Sequence, residues 1–187
     1  MKSEKNIFSR YEKEDNRYII QISTNTYRDL FNKYDRTSSL IKRDLNDDLA
    51  NYLFDAASDL YGRDFYICLN IHDEKRTEEL EEMVNRGVDS YFEHEIHKII
   101  KRRSQVAMKI AIHFLLAIAC LFISYILNQV IALDSFLYML FVESSVIAAW
   151  VLMWPILSDF MYDLFDIRRT LGIYKKIVDA DLKFHYV

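Results

Sequence analysis

The chain has 187 residues and a formal charge of −4, with 51% hydrophobic and 14% aromatic residues, three glycines and one proline. So few breakers point to long helices and short connections, within a length that fits one or two domains. Residues 1–97 hold 14 Lys and Arg against 21 Asp and Glu, while residues 98–187 hold 10 against 7; an acidic first half excludes the basic face that non-specific nucleic-acid binding needs.

The opening stretch MKSEKNIFSRYEKEDNRY has no apolar core of the kind a signal peptide carries, and residues 1–17 are expected to be poorly ordered. Tyr18–Ser23, YIIQIS, reads as a short strand, and TNTYRDLFNKYD as a helical turn entered from Thr24 or Asn25. The segment SSLIKRDLNDDLANYLFDAASDLYG predicts a helix capped by Ser38 or Ser39. Its apolar positions Leu45, Leu49, Tyr52, Leu53, Ala56 and Leu60 recur three and four apart, and Gly62 stops it. Phe65–Ile71, FYICLNI, is a nearly continuous apolar run and predicts a strand covered on both faces. His72-Asp73 then opens a long helix from about Glu74, with Gly87 its weakest point. The region 18–103 is thus a small β-α-β-α head, with two parallel strands joined by a right-handed crossover. Two strands alone make a marginal sheet. A homo-oligomer, or a partner that completes the layer, is therefore expected.

From Val106 to Leu127 the chain reads VAMKIAIHFLLAIACLFISYIL, and from Phe136 to Leu157 FLYMLFVESSVIAAWVLMWPIL. About 20 apolar residues cross a bilayer core of roughly 30 Å. The link 128–135, NQVIALDS, is short enough to make the two spans antiparallel neighbours, so the head's last helix continues into a transmembrane hairpin. Burying such a hairpin in a soluble core would take more apolar residues than the rest of the chain has. Lys98, Lys101, Arg102 and Arg103 precede the first span, Arg168, Arg169, Lys175 and Lys176 follow the second, and the link has no Lys or Arg. Positive charge stays inside. The expectation is a multi-pass protein of the bacterial inner membrane, an α+β membrane protein with both termini cytoplasmic and residues 158–187 a short cytoplasmic tail. Trp150, Trp154 and Tyr162 near the inner end, and Tyr125 and Tyr138 near the outer ends, suit interfacial belts.

TYRDLFNKYD followed by KRDLNDDLANYL and a strand resembles the head of an uncharacterised family of small bacterial inner-membrane proteins. WPILSDFMYDLFDIRRTLGIYKKIVDADLKF resembles that family's tail through Pro155, Tyr162, Asp163, Arg168, Arg169 and Tyr174. The resemblance implies a cytoplasmic α/β head, a two-helix hairpin and a Pro closing the last span. It implies no chemistry. The family pattern places Pro after Asp35 and after the second strand, where this chain has Arg36 and His72-Asp73.

Glu143 is the first candidate site residue. An ionisable group inside a span usually faces protein or water. At eight residues into its span it lies roughly 10 Å below the outer surface, level with Phe122 to Tyr125, where Ser124 is the natural partner. Three readings stay open. Glu143, Ser144, Ser145 and Ser124 line a polar path between subunits; a protonated Glu143 hydrogen-bonds across helices and holds an oligomer together; or Glu143 sits near the headgroups. His113 lies roughly 10 Å in from the opposite side, too far in depth for a Glu143 ion pair. Lys109 can snorkel to the inner interface. Lys101, Arg102, Arg103, Arg168 and Arg169 set topology or face lipid.

His94 and His97 with Glu93 have the spacing of a shared metal but no third ligand at a required distance, and a solvated helix explains them. The same holds for EKRTEELEEM. RDLNDD and SDFMYDLFD lack calcium-loop grammar. Cys68 and Cys120 read as separate inert thiols, and no phosphate-loop or nucleophile-elbow motif occurs. No enzyme, cofactor or metal is expected. The function expected is assembly in the membrane as a small channel or effector; the alternative is a scaffold whose head binds a cytoplasmic protein.

Overall fold

The computed structural model describes residues 8–34, 43–130 and 136–187. Its elements are a 3-10 turn (Phe8–Arg10), β1 (Glu12–Glu14), β2 (Arg17–Thr24), a 3-10 turn (Tyr27–Leu30), α1 (Asp47–Asp59), β3 (Phe65–Ile71), α2 (Glu78–Val130), α3 (Phe136–Ser158), a π-helical turn (Asp159–Asp163), α4 (Leu164–Val178) and β4 (Leu182–Tyr186). The chain forms two compact units: Met1–Lys98 with Thr170–Val187, and Ile99–Arg169. The first is the head and the second an apolar helical hairpin.

The head is built on one four-stranded sheet in the order β1-β2-β3-β4. β2 and β3 are parallel, as expected, with Ile20 beside Ile67 and Ile22 beside Leu69. Two strands were missed. β1 pairs antiparallel with β2 through a tight turn at Asp15 and Asn16, whose φ values are 46° and 69°. Asp and Asn tolerate that left-handed conformation, which the two-residue hairpin turn demands. Residues 8–17 are therefore ordered, against expectation; residues 1–7 lie outside the described residues. β4 pairs parallel with β3, with Leu69 beside Phe184 and Ile71 beside Tyr186. The stretch expected to be a separate tail thus supplies the head's edge strand, and the whole hairpin is an insertion in the connection between β3 and β4.

β4 also answers the marginal two-stranded sheet. The neighbour that β3 needs comes from the same chain, so the sheet gives no ground for an oligomer. Nor is β3 covered on both faces. Ile20, Ile22, Ile67, Leu69 and Ile71 are buried in one cluster with Leu53 and Ala57 of α1, Val84, Val88 and Phe92 of α2, and Ile173 and Ile177 of α4. On the other face Gln21, Ser23, Lys183 and His185 are exposed, and Cys68 and Asn70 half-buried. Tyr66 is buried there only because Arg17 and Lys183 lie over its ring and its hydroxyl donates to Glu14.

α1 starts later than its apolar spacing implied. Asn46 is the cap, accepting from the Asp48 amide, because Leu45 is held in a bridge with Phe31. Ser38 and Ser39 lie outside the described residues. Gly62, at φ 86°, takes the left-handed position just beyond the helix. α2 runs unbroken through Gly87. Pro155 does not end its helix: it lies inside α3, and the chain stays helical through the π turn to Val178.

Two helices are long and apolar enough to cross a membrane, and their most apolar windows are only 11% and 6% buried. A hairpin packed in a soluble core would bury them.

Candidate functional site in the apolar hairpin

Along the first span only Val106, Ile110, His113, Ala117, Cys120, Ser124 and Leu127 are drawn in from the surface. The spacing alternates four and three, a heptad seam. On α3, Tyr138, Val142, Ser145, Ala149, Leu152 and Ile156 repeat it. The residues at the closest contact are small: Ala117 and Ala149 are 1% and 2% exposed and Ser124 is 5% exposed. Small residues let two helix backbones approach where lipid supplies no hydrophobic drive between them.

Hydrogen bonds fix the antiparallel register. Ser124 Oγ reaches the Val142 carbonyl at 3.5 Å, the long limit of a hydrogen bond. The Tyr138 hydroxyl donates to the Leu127 carbonyl at 2.8 Å, satisfying an acceptor in the last turn of α2. Tyr138 is thus spent on the helix end and half-buried. Ser145 Oγ donates back to the Phe141 carbonyl at 2.9 Å. His113 Nδ1 lies 2.8 Å from the Lys109 carbonyl and so carries the proton.

The expected set of polar residues does not share a face. Ser124 and Ser145 lie in the seam. Glu143 and Ser144 are exposed on the outer side of α3, because each residue advances about 100° around a helix and Val142 and Ser145 already face α2. Ser124 therefore serves the Val142 carbonyl instead of Glu143. With Ser124 level with Val142, His113 is eleven residues further along α2, roughly 16 Å from the Glu143 level. Glu143 shares its outer face with Ile147, Trp150 and Trp154, the two tryptophans both 70% exposed. Lys101, Arg102, Arg103, Arg168 and Arg169 are all exposed within this unit.

One ion pair was not foreseen. Lys109 Nζ lies 2.9 Å from Asp159 Oδ2, at ion-pair distance though outside hydrogen-bond alignment. The Asp159 side chain is largely buried and that of Lys109 half-exposed. The register explains it: with Ser124 level with Val142, residue 109 comes near residue 159. Pro155 and the π turn lie beside it. Proline removes one backbone donor, and π turns concentrate where a helix is locally re-phased.

The head holds a second polar cluster, at the carboxyl ends of its parallel strands. Tyr27 and Tyr186 share a hydrogen bond, Tyr186 donates to Glu81, and Glu81 meets Arg76 at 3.4 Å. Burial, then the Glu81 and Tyr27 hydrogen bonds, push the Tyr186 hydroxyl well above its ordinary value. The group acts as a latch holding β4 against α2. Ser23 Oγ lies 2.8 Å from His72 Nε2. His97 Nδ1 is spent on the Glu93 carbonyl at 2.9 Å. Among the described residues no three His, Cys, Asp or Glu side chains gather as a metal site, and Cys68 and Cys120 are free thiols.

Comparison with family models, with curated proteins and with solved structures gives no match. The functional reading therefore rests on this chain's own residues.

Proposed function

We propose that the chain is an integral membrane protein, set in a bacterial inner membrane with both termini cytoplasmic, that works as a homo-oligomer in which the outer face of α3 lines a polar path. The observation that carries this reading is the placement of Glu143, exposed with Ser144 on the side of α3 turned away from α2. A charged carboxyl facing hydrocarbon costs about 2.5–3.5 kcal/mol on insertion scales. A neighbouring hairpin or a water-filled centre removes that cost, and the seam has no room for such a path because Ala117, Ser124 and Ala149 close it. The basic flanks support the orientation, and two helices long and apolar enough to cross a membrane support the setting.

The test is membrane potential in cells expressing wild type or Glu143→Leu at matched membrane levels, with chemical cross-linking to follow assembly. Depolarisation by wild type and not by Glu143→Leu, both cross-linking alike, is the expected result. Depolarisation by neither, with loss of cross-linking in Glu143→Leu, makes Glu143 an assembly contact without conduction.

The scaffold reading draws on one observation, the sheet face that no helix covers. It expects no ion leak, and loss of a co-purifying cytoplasmic protein when exposed residues of that face, such as Gln21 and Lys183, are replaced by Glu.

A further inference from the structure

An open cleft of about 420 Å³ runs along α2 where the first span begins, lined by Ser104, Gln105, Met108, Lys109, Ile112 and His113. These residues form two rows spaced four apart, the ridges that flank a helix groove. One row, Ser104, Met108 and Ile112, turns from polar to apolar on entering the span. The other, Gln105, Lys109 and His113, stays polar throughout. The amide of Gln105, the ammonium of Lys109 and the Nε2 of His113 are spaced along that row. Lys109 is 54% exposed at its side chain although paired with Asp159, so its ammonium keeps donors for a ligand. His113 spends Nδ1 on the Lys109 carbonyl, which leaves Nε2 for a second partner. Lys101, Arg102 and Arg103, all exposed, lie in the turn that precedes the cleft.

We propose that this cleft binds one anionic phospholipid, its phosphodiester held by Ser104, Gln105 and Lys109 and its acyl chain laid along Met108 and Ile112. Charge complementarity selects this occupant: three cations border the polar end, and the polar-to-apolar order along the groove is that of a lipid. The inference rests on the membrane reading above and adds a site and a ligand class to it. The Lys109–Asp159 pair is already neutral, so the charge preference comes from the basic turn, while Ser104, Gln105 and Lys109 hold the phosphodiester that anionic and zwitterionic lipids share.

The experiment uses the full chain in a neutral detergent, with native mass spectrometry reading retained lipid from an equimolar mixture of phosphatidylglycerol and phosphatidylcholine. Wild type is expected to retain one phosphatidylglycerol in preference to phosphatidylcholine by about fivefold or more, from at least one basic contact. Lys101→Gln, Arg102→Gln and Arg103→Gln together are expected to abolish that preference, Gln105→Leu, which keeps the Lys109–Asp159 pair, to lower the phosphatidylglycerol retained, and Arg168→Gln, on the other helix, to leave both. Equal retention of both lipids overturns the site. So does an equal loss in Arg168→Gln, which would make the effect one of overall charge. Displacement by millimolar inorganic phosphate would make the ligand free phosphate and overturns the lipid. Alkaline carbonate extraction separates the two claims: release from membranes overturns both, whereas a retained protein with no cleft-dependent preference overturns this one alone.

Discussion

Leu69 in the head and Leu115 in the hairpin carry the same side chain, yet the first is 1% exposed and the second 65%. In the head, alternate residues of β2, β3 and β4 turn toward α1, α2 and α4, and the large side chains Tyr27, Phe31 and Phe92 are buried. In the hairpin the order is inverted. Ala117, Ser124 and Ala149 lie inside while Phe122, Phe141, Trp150 and Trp154 lie outside. Water drives the first arrangement, because each buried CH₂ gains about 0.8 kcal/mol. Water would oppose the second. An apolar surround, as the proposed membrane setting supplies, would let size decide: small residues go to the contact and large ones outward.

The sharpest way to break this contrast is to remove the strand that closes the head. Ending the chain at Val178 deletes Leu182, Phe184 and Tyr186, and with them one of the two parallel partners of β3 and the Tyr27–Tyr186–Glu81 latch. The head is expected to lose cooperative structure altogether, read as loss of amide protection across β3, while the two spans stay membrane-bound. Protection in β3 equal to that of the full chain would mean that the head folds without the returning segment.

Single leucines give the next largest effect. Leu69→Ala is expected to destabilise the head by about 2–5 kcal/mol, the range for buried large-to-small changes. Leu115→Ala should change stability by no more than about 0.5 kcal/mol, as exposed substitutions do. Denaturant unfolding in detergent, followed by a probe in each unit, checks both. A large loss for Leu115→Ala would place a packed neighbour over it. Below these comes Ala117→Leu, which overfills the seam against Ala149. It is expected to cost about 1–3 kcal/mol and to lower hairpin stability without touching the head, read by the same two probes.

Much of this contrast was legible in the residues. The two long apolar helices and their antiparallel pairing follow from length and from the eight-residue link, and the parallel β2–β3 pair follows from a strand-helix-strand order. Three features were hidden for physical reasons. LKFHY is only five residues and follows a helix, so nothing local says that it returns to β3 across the whole hairpin. EKE, with three charges, reads as solvated until the Asp15-Asn16 turn zips it to β2. The resemblance implies a Pro that closes the last span, and nothing local says that α3 runs on through Pro155; neighbouring helices and local π adjustments can re-satisfy the backbone groups a proline frees. The outward placement of Glu143 was derivable. Ser124, Ala117, His113 and Cys120 repeat at heptad spacing, as do Ser145 and Ala149, and that stripe marks the seam. Glu143 falls outside it. The Lys109–Asp159 pair needed the register, which one hydroxyl and one carbonyl set.

The smallest expected effect tests the head's own surface. Asp89 is half-buried on α2, and burial first, then the nearby Glu93 carboxylate, raise its carboxyl above the ordinary value of 3.8. The sign follows from linkage. A raised folded value means that the folded head prefers Asp89 protonated, so its contribution is present below the ordinary value and is lost as pH rises through the folded one. At neutral pH the ionised Asp89 therefore works against the fold. Asp89→Asn removes the charge at every pH and is expected to raise the head's unfolding midpoint at pH 7 by about one or two degrees. The gain should shrink as pH falls toward the ordinary value of 3.8, because wild-type Asp89 takes up its proton above it. Thermal melts of both proteins at each pH read this difference directly. A gain that is constant with pH would assign the effect to helix propensity or packing, and a loss would mean that the Asp89 carboxylate has a stabilising partner at its side.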